Sequence, residues 1–150
     1  MSTPPPRLTA VTLGVKDLRA STAFYETLGF LCKLRATGDE ITFLNGGGVV
    51  VALWSWNKLA ADACLAAEPA PGSFRGTTLA WNCASPAEVD AAFAKAVAAV
   101  AAGAKPLRQP EKTDYGGYRG YFSDPDGHAW EVAQAPGFVL TAEGRLILPE

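Results

Sequence analysis

An α+β fold of two successive β-α-β-β-β modules is predicted by three observations. Each half of the chain opens with a short, alternating apolar stretch that runs into a helix-start signal. Three further extended stretches, bounded by Gly, Asn and Asp, follow each helix. The punctuation of the halves also aligns: Ala10 with Thr78, Asp17 with Ser85, Gly29 with Gly103 and Gly48 with Gly127. The repeat is one of structure and not of letters. Its growing offset requires insertions in the second half, the longest in Gln109 to Gly117.

In the first half, Leu8 to Val15 reads as a strand, and Asp17 caps a helix in which Leu18, Thr22, Tyr25 and Leu28 recur at helical spacing beside Phe24. Gly29 is placed to stop that helix in a left-handed conformation. Phe30 to Arg35, Ile41 to Leu44 and Val49 to Trp54 read as strands, with turns at Thr37-Gly38-Asp39 and Asn45-Gly46-Gly47-Gly48. The glycine run is a hairpin turn, since no helix opening with Lys-Ser/Thr follows to make it a phosphate loop. A less regular bridge, Lys58 to Pro71, leads to the second half.

There, Thr77 to Cys83 is a strand. Ser85-Pro86-Ala87-Glu88 is a capping box with Pro in the first turn. Val89, Phe93, Ala96, Val97 and Val100 form the apolar stripe of the helix, which Gly103 ends. Strands follow around Lys105 to Arg108, Arg119 to Phe122 and His128 to Val132, and a hairpin around Ala142-Glu143-Gly144 is added after the repeat. The expected organisation is a single domain over 1–150: a first module at 8–56, a bridge at 57–74, a second module at 75–135 and a C-terminal extension at 136–150.

Composition narrows the function. The chain is 49% hydrophobic and 19% charged with 4 Trp, 4 Tyr and 7 Phe, which suits a compact core and excludes disorder and coiled coil. Thirteen basic and fifteen acidic side chains give a net charge of -2 without a Lys/Arg cluster, so neither nucleic acid nor an anionic membrane is an expected partner. Cys32, Cys64 and Cys83 are odd in number and widely spaced, and there is one histidine, so neither a disulfide framework nor a zinc finger is expected. Reduced, buried thiols and the lack of a signal-like apolar start point to the cytoplasm.

Three segments carry a family likeness: Val15-Lys16-Asp17-Leu18, Phe24-Tyr25-Glu26-Thr27-Leu28-Gly29-Phe30 and, above all, Tyr121 to Val132, which contains Asp124-Pro125-Asp126-Gly127-His128. With the paired modules, the chain resembles the vicinal oxygen chelate superfamily, the glyoxalase, bleomycin-resistance and extradiol dioxygenase group. The resemblance implies sheets that curl into an open barrel around a cleft, and a homodimer. It also implies metal ligands on the first and last strands of each module, at positions that here hold Ala10, Ala52, Thr78 and Glu131. Only Glu131 is a competent ligand, whereas a catalytic divalent site needs about three. No cofactor is therefore expected, and a divalent metal is disfavoured. His128 does not replace a ligand, since strand alternation sends it to the face opposite Glu131; a place in the turn or on the outer surface is expected.

The same alternation nominates the cleft lining. Trp54 follows Ala52 inward, with Trp56 at the rim; Thr78, Ala80 and Asn82 share one face; Trp130 and Val132 pack under the helices. The resemblance turns Tyr121 inward, and parity brings Arg119 with it. Glu131 either pairs with Arg119 or touches a ligand directly. Tyr115-Gly116-Gly117-Tyr118 is either a loop closing over the cleft or a simple turn. This lining suits a small aromatic or ring-shaped ligand with a polar edge. The first expectation is a binding protein without the usual metal triad. The alternatives are an enzyme of isomerase, lyase or dioxygenase type, metal-dependent or using Glu131 as base with Arg119 and Tyr121 as oxyanion donors, and a non-catalytic protein-interaction module.

Overall fold

The computed structural model describes residues 3–35, 40–68 and 74–150. Thr37-Gly38-Asp39 lies outside the described residues. The first module is β1 (Ala10–Val15), α1 (Leu18–Leu28), β2 (Leu31–Arg35), β3 (Ile41–Asn45) and β4 (Val50–Ser55). The second is β5 (Thr78–Asn82), α3 (Pro86–Val97), β6 (Lys105–Lys112), β7 (Tyr118–Ser123) and β8 (Ala129–Gln134), with α2 (Trp56–Asp62) between the modules. The strand orders are identical, β1-β4-β3-β2 and β5-β8-β7-β6, and in each sheet the first strand runs parallel to the last while the other pairs are antiparallel. The repeat is thus realised in topology. Among the described residues the two sheets share no hydrogen-bonded strand pair, so β1 and β5 are both edges.

The helix signals act as their chemistry dictates. The Asp17 carboxylate accepts from the Ala20 amide at 2.9 Å, and Gly29 closes α1 with φ +104°. Ser85 accepts from the Glu88 amide at 3.2 Å while the Glu88 carboxylate accepts from the Ala84 amide at 2.7 Å, a complete capping box. α3 ends at Val97 rather than at Gly103; a 3-10 turn at Val100–Ala102 intervenes, and Gly103 closes that turn instead. α2 begins at Trp56 and takes up the start of the bridge read as irregular from Lys58; the sequence hid it because a helix of seven residues is too short to show a period. β6 runs four residues past Arg108, so the inserted segment shrinks to a hairpin turn at 113–117, closed by the Thr113 amide on the Gly117 carbonyl at 2.9 Å.

One core joins the modules. Leu13, Val15, Leu44, Val51 and Leu53 of the first sheet meet Phe24, Tyr25 and Leu28 of α1, and Phe122, Trp130 and Val132 of the second sheet meet Val89, Phe93 and Ala96 of α3 in a single cluster. Each sheet therefore has a helix-covered face and an open face. β9 (Val139–Leu140) and β10 (Leu146–Ile147) make the short antiparallel C-terminal hairpin that the sequence predicts. Cys32 and Cys83 are half-buried, but Cys64 is exposed, contrary to expectation, because it sits just beyond α2 with φ +58° and not on a sheet. Among the described residues no helix is long and apolar enough to cross a membrane.

Candidate functional site

Register places Tyr121 opposite Glu131, and Glu131 beside Ala80, on the open face of the second sheet. Tyr121 donates its hydroxyl to Glu131 Oε2 at 2.9 Å. Burial, and then this bond to a carboxylate, hold the phenol above its ordinary pKa, so Tyr121 stays a proton donor and not a phenolate. Oε1 of Glu131 has no hydrogen-bond partner among the described residues and is left to accept from a ligand.

Arg119 lies on the same face one pair further along, opposite Ala133. Its partner is not Glu131. Register shifts in β6 bring Glu111 opposite Arg119, and Glu111 Oε1 accepts from Arg119 at 3.1 Å and from Arg108 at 2.6 Å. Hydrogen bonds from Arg108 and then Arg119 hold the Glu111 carboxyl below the usual range. This excludes the internal Glu131–Arg119 pair: the bulged edge strand supplies a closer carboxylate, whose place no alternation rule reveals.

The remaining nominated residues divide. Thr78 and Asn82 flank Ala80 on the face of Glu131. Tyr115 occupies the 113–117 turn, is 64% exposed and lies near enough to Tyr121 to add to the upward push on its phenol. Tyr118 faces the other way, toward the helix, and donates to Asp90 of α3 at 2.7 Å, because its parity is that of Phe122 and not of Tyr121. Trp54 shares the open face of the first sheet with Ala52, and its indole N–H is buried with no acceptor among the described residues. No described contact joins Trp54 to Glu131. Trp56 is engaged by neighbours within the chain. Its N–H donates to the Glu68 carbonyl at 2.8 Å, its ring stacks on His128 at 6.2 Å, and the Arg75 guanidinium lies over it at 5.0 Å.

That cluster belongs to an inter-module clasp which sequence reasoning missed. Asp124 is 1% exposed, and its carboxylate accepts from the Tyr25 hydroxyl at 2.6 Å, the Asp126 amide at 2.9 Å and the His128 amide at 2.8 Å. Trp130 Nε1 donates to the same Tyr25 oxygen at 3.0 Å. Asp126 accepts from the Lys16 amide at 2.7 Å. His128 Nε2 donates to the Gly14 carbonyl at 2.7 Å, which leaves Nδ1 as the acceptor for Arg75 at 3.2 Å. Gly127 has φ +83°, and a Cβ there would meet Arg75 Nη2 at 2.5 Å. The Asp-Pro-Asp-Gly-His turn therefore joins β8 to β1 and α1. The signal available in sequence was the pairing of a buried-looking Tyr25 with an acidic turn, but nothing local connects residues 99 positions apart.

The four positions where the resemblance implies metal ligands offer two methyl groups, a hydroxyl and a carboxylate already engaged by Tyr121. This donor set does not fit a divalent ion.

The chain belongs to the Glyoxalase/Bleomycin resistance protein/Dioxygenase superfamily, whose sequence profile matches residues 7–132. It is similar to a glyoxalase-related enzyme from Fulvimarina pelagi, at 36% identity and a TM-score of 0.82, over 96% of this chain and 99% of that one. It is also similar to a glyoxalase/bleomycin resistance protein/dioxygenase from Nocardioides, at 28% identity and a TM-score of 0.69, over 91% of this chain and 88% of that one. A lactoylglutathione lyase from Agrobacterium tumefaciens shares the fold, at 24% identity and a TM-score of 0.63, over 88% of this chain and 96% of that one. No curated protein matches significantly.

Proposed function

We propose that this family member binds a small aromatic or ring-shaped organic molecule through the open faces of its sheets, without the usual metal triad. The observation that carries the reading is the Tyr121–Glu131 hydrogen bond: the carboxylate at the implied ligand position is held by a phenol, while Ala10, Ala52 and Thr78 add no strong donor. Glu131 Oε1 and Arg119 would hold the ligand's polar edge, and Trp54 its ring. The reading includes a cytoplasmic homodimer. Leu31 and Leu34, 59% and 58% exposed, lie with Phe43 and Val50 on the open face of the first sheet, an apolar surface that a second copy would cover.

A thermal-shift screen against aromatic carboxylates, phenols and glycopeptide-type antibiotics tests this reading. A stabilising hit is expected to lose its effect in Glu131→Gln, since binding to the folded state must raise its stability. No stabilisation by any compound would overturn the reading, as would near-stoichiometric uptake of Mn, Fe, Co, Ni or Zn that vanishes in Glu131→Gln. The free Oε1 of Glu131 also favours a second reading, in which Glu131 is a general base and Tyr121 an oxyanion donor. Once a substrate is found, Glu131→Gln should then abolish turnover in a folded protein.

A further inference from the structure

A cavity of about 900 Å³ lies between the modules; Ala80, the neighbour of Glu131, lines it, but neither Tyr121 nor Glu131 does. Its walls are the unpaired edges of β1 and β5. Its floor is aromatic: Phe30 meets Trp81 edge-on at 5.8 Å and Trp130 at 5.6 Å. Arg7 and Arg145 line it, and among the described residues no aspartate or glutamate does. A volume of this size is ordinary for a site that takes a small organic molecule.

The position of Arg145 accounts for two features that the paired modules leave unexplained, the glycine run and the C-terminal hairpin. Gly48 has φ +112°, and a Cβ there would meet Arg145 Cγ at 2.6 Å, so only a glycine lets the Arg145 stem lie against the turn. At the neighbouring Gly47 a Cβ would sit 3.1 Å from the Glu143 carbonyl. The tip of the C-terminal hairpin is therefore seated on the Gly46-Gly47-Gly48 turn. The hairpin is held in shape by the Arg145 amide on Thr141 Oγ1 at 3.0 Å and by the Thr141 amide on the Arg145 carbonyl at 2.8 Å. Glu143, the acidic group beside Arg145, is exposed and does not line the cavity.

We propose that this cavity is a second binding site, for an amphipathic organic anion whose aromatic body rests on Phe30, Trp81 and Trp130 and whose carboxylate or sulfonate is held by Arg7 and Arg145. Guanidinium forks match such anions in two parallel hydrogen bonds, and among the described residues no carboxylate lines the site to compete for them, Glu143 acting on Arg145 from outside it. Asn82, on the β5 wall, supplies an amide for a further polar substituent. The site shares Thr78, Ala80 and Asn82 of β5 with the face of Glu131, but the proposal does not rest on the proposed function, because its anion-holding groups, Arg7 and Arg145, lie on neither strand of the Tyr121–Glu131 pair.

The test is a titration of the full chain with 1-anilinonaphthalene-8-sulfonate, run beside its uncharged relative N-phenyl-1-naphthylamine. The sulfonate is expected to bind saturably, once per chain, with energy transfer from tryptophan. The Arg7→Ala/Arg145→Ala double variant, changed only at exposed positions, should weaken it roughly tenfold or more while leaving the neutral dye unaffected. Equal binding of the two dyes, unchanged sulfonate affinity in the double variant, or no binding because a second copy fills the groove would each overturn the proposal. Glu131→Gln and Tyr121→Phe should leave the sulfonate affinity unchanged. A loss there would move the dye to the open face and overturn this site while supporting the other.

Discussion

Two tyrosines in this protein donate to carboxylates, Tyr25 to Asp124 at 2.6 Å and Tyr121 to Glu131 at 2.9 Å. The first pair is sealed in the core, with Tyr25 fully buried and three donors converging on Asp124. The second lies half-buried on an open face, with one carboxylate oxygen still unclaimed. Both carboxylates come from one short segment, Asp124 from the turn between β7 and β8 and Glu131 from β8 itself. Buried, the pair is an architectural joint, since a carboxylate removed from water must be fully satisfied. Exposed, the same chemistry has a vacancy, and an unsatisfied oxygen reached by solvent is what a ligand can use.

Removing one hydroxyl at each place separates the two roles. Tyr25→Phe should cost about 3 kcal/mol, because it strips a donor from a buried carboxylate and the acceptor from Trp130 Nε1. Urea unfolding with an unchanged m-value measures it, and a loss under about 1 kcal/mol would mean that the clasp does not hold the modules together. His128→Ala comes next, at about 2 kcal/mol, since it frees the Gly14 carbonyl and removes one of the partners of Arg75, which keeps the Asp126 carbonyl and the Trp56 ring. Tyr121→Phe should cost only about 0.5 kcal/mol in the same assay while weakening any ligand found on the open face. Equal losses in Tyr25→Phe and Tyr121→Phe would erase the distinction.

Smaller still is an effect on pH dependence. Burial raises the Asp124 carboxyl above its ordinary value of 3.8, so between that value and the raised one the folded chain binds more protons than the unfolded chain. Its contribution is therefore full below 3.8 and declines as pH rises through the folded value. Glu40, Glu111 and Glu143 are shifted downward and act in the opposite sense, losing their contribution as pH falls. The stability of the parent protein minus that of Asp124→Asn isolates the buried group. That difference should become less favourable as pH rises above 3.8, and a difference that grows instead would show the carboxylate to be stabilised in its charged form.

Much of this was legible in the sequence. Asp17, Gly29 and the Ser85–Glu88 box act within four residues of themselves, so propensity and capping chemistry were enough to find both long helices. The family resemblance turned Tyr121 and Glu131 inward, and side-chain alternation then put Arg119 on their face and Trp130 and Val132 on the other; the alternation holds because β7 and β8 pair without a bulge. Where the edge strand β6 bulges, alternation failed, and with it the partner of Arg119. Trp56 and Tyr118 were nominated by type and proximity, and their partners, His128, Arg75 and Asp90, come from other elements.

The sequence by itself determined the two modules, their strand and helix identities and which side chains share a face, because those properties repeat every two or 3.6 residues along the chain. Only the tertiary structure decided that Asp124, Asp126 and His128 clasp the first module, that the glycine run seats the C-terminal hairpin, and that Arg7 and Arg145 line one cavity. These pairs are separated by up to 138 positions. Nothing periodic relates such distant residues; the packing of one module on the other does, and that packing follows from burying a shared core.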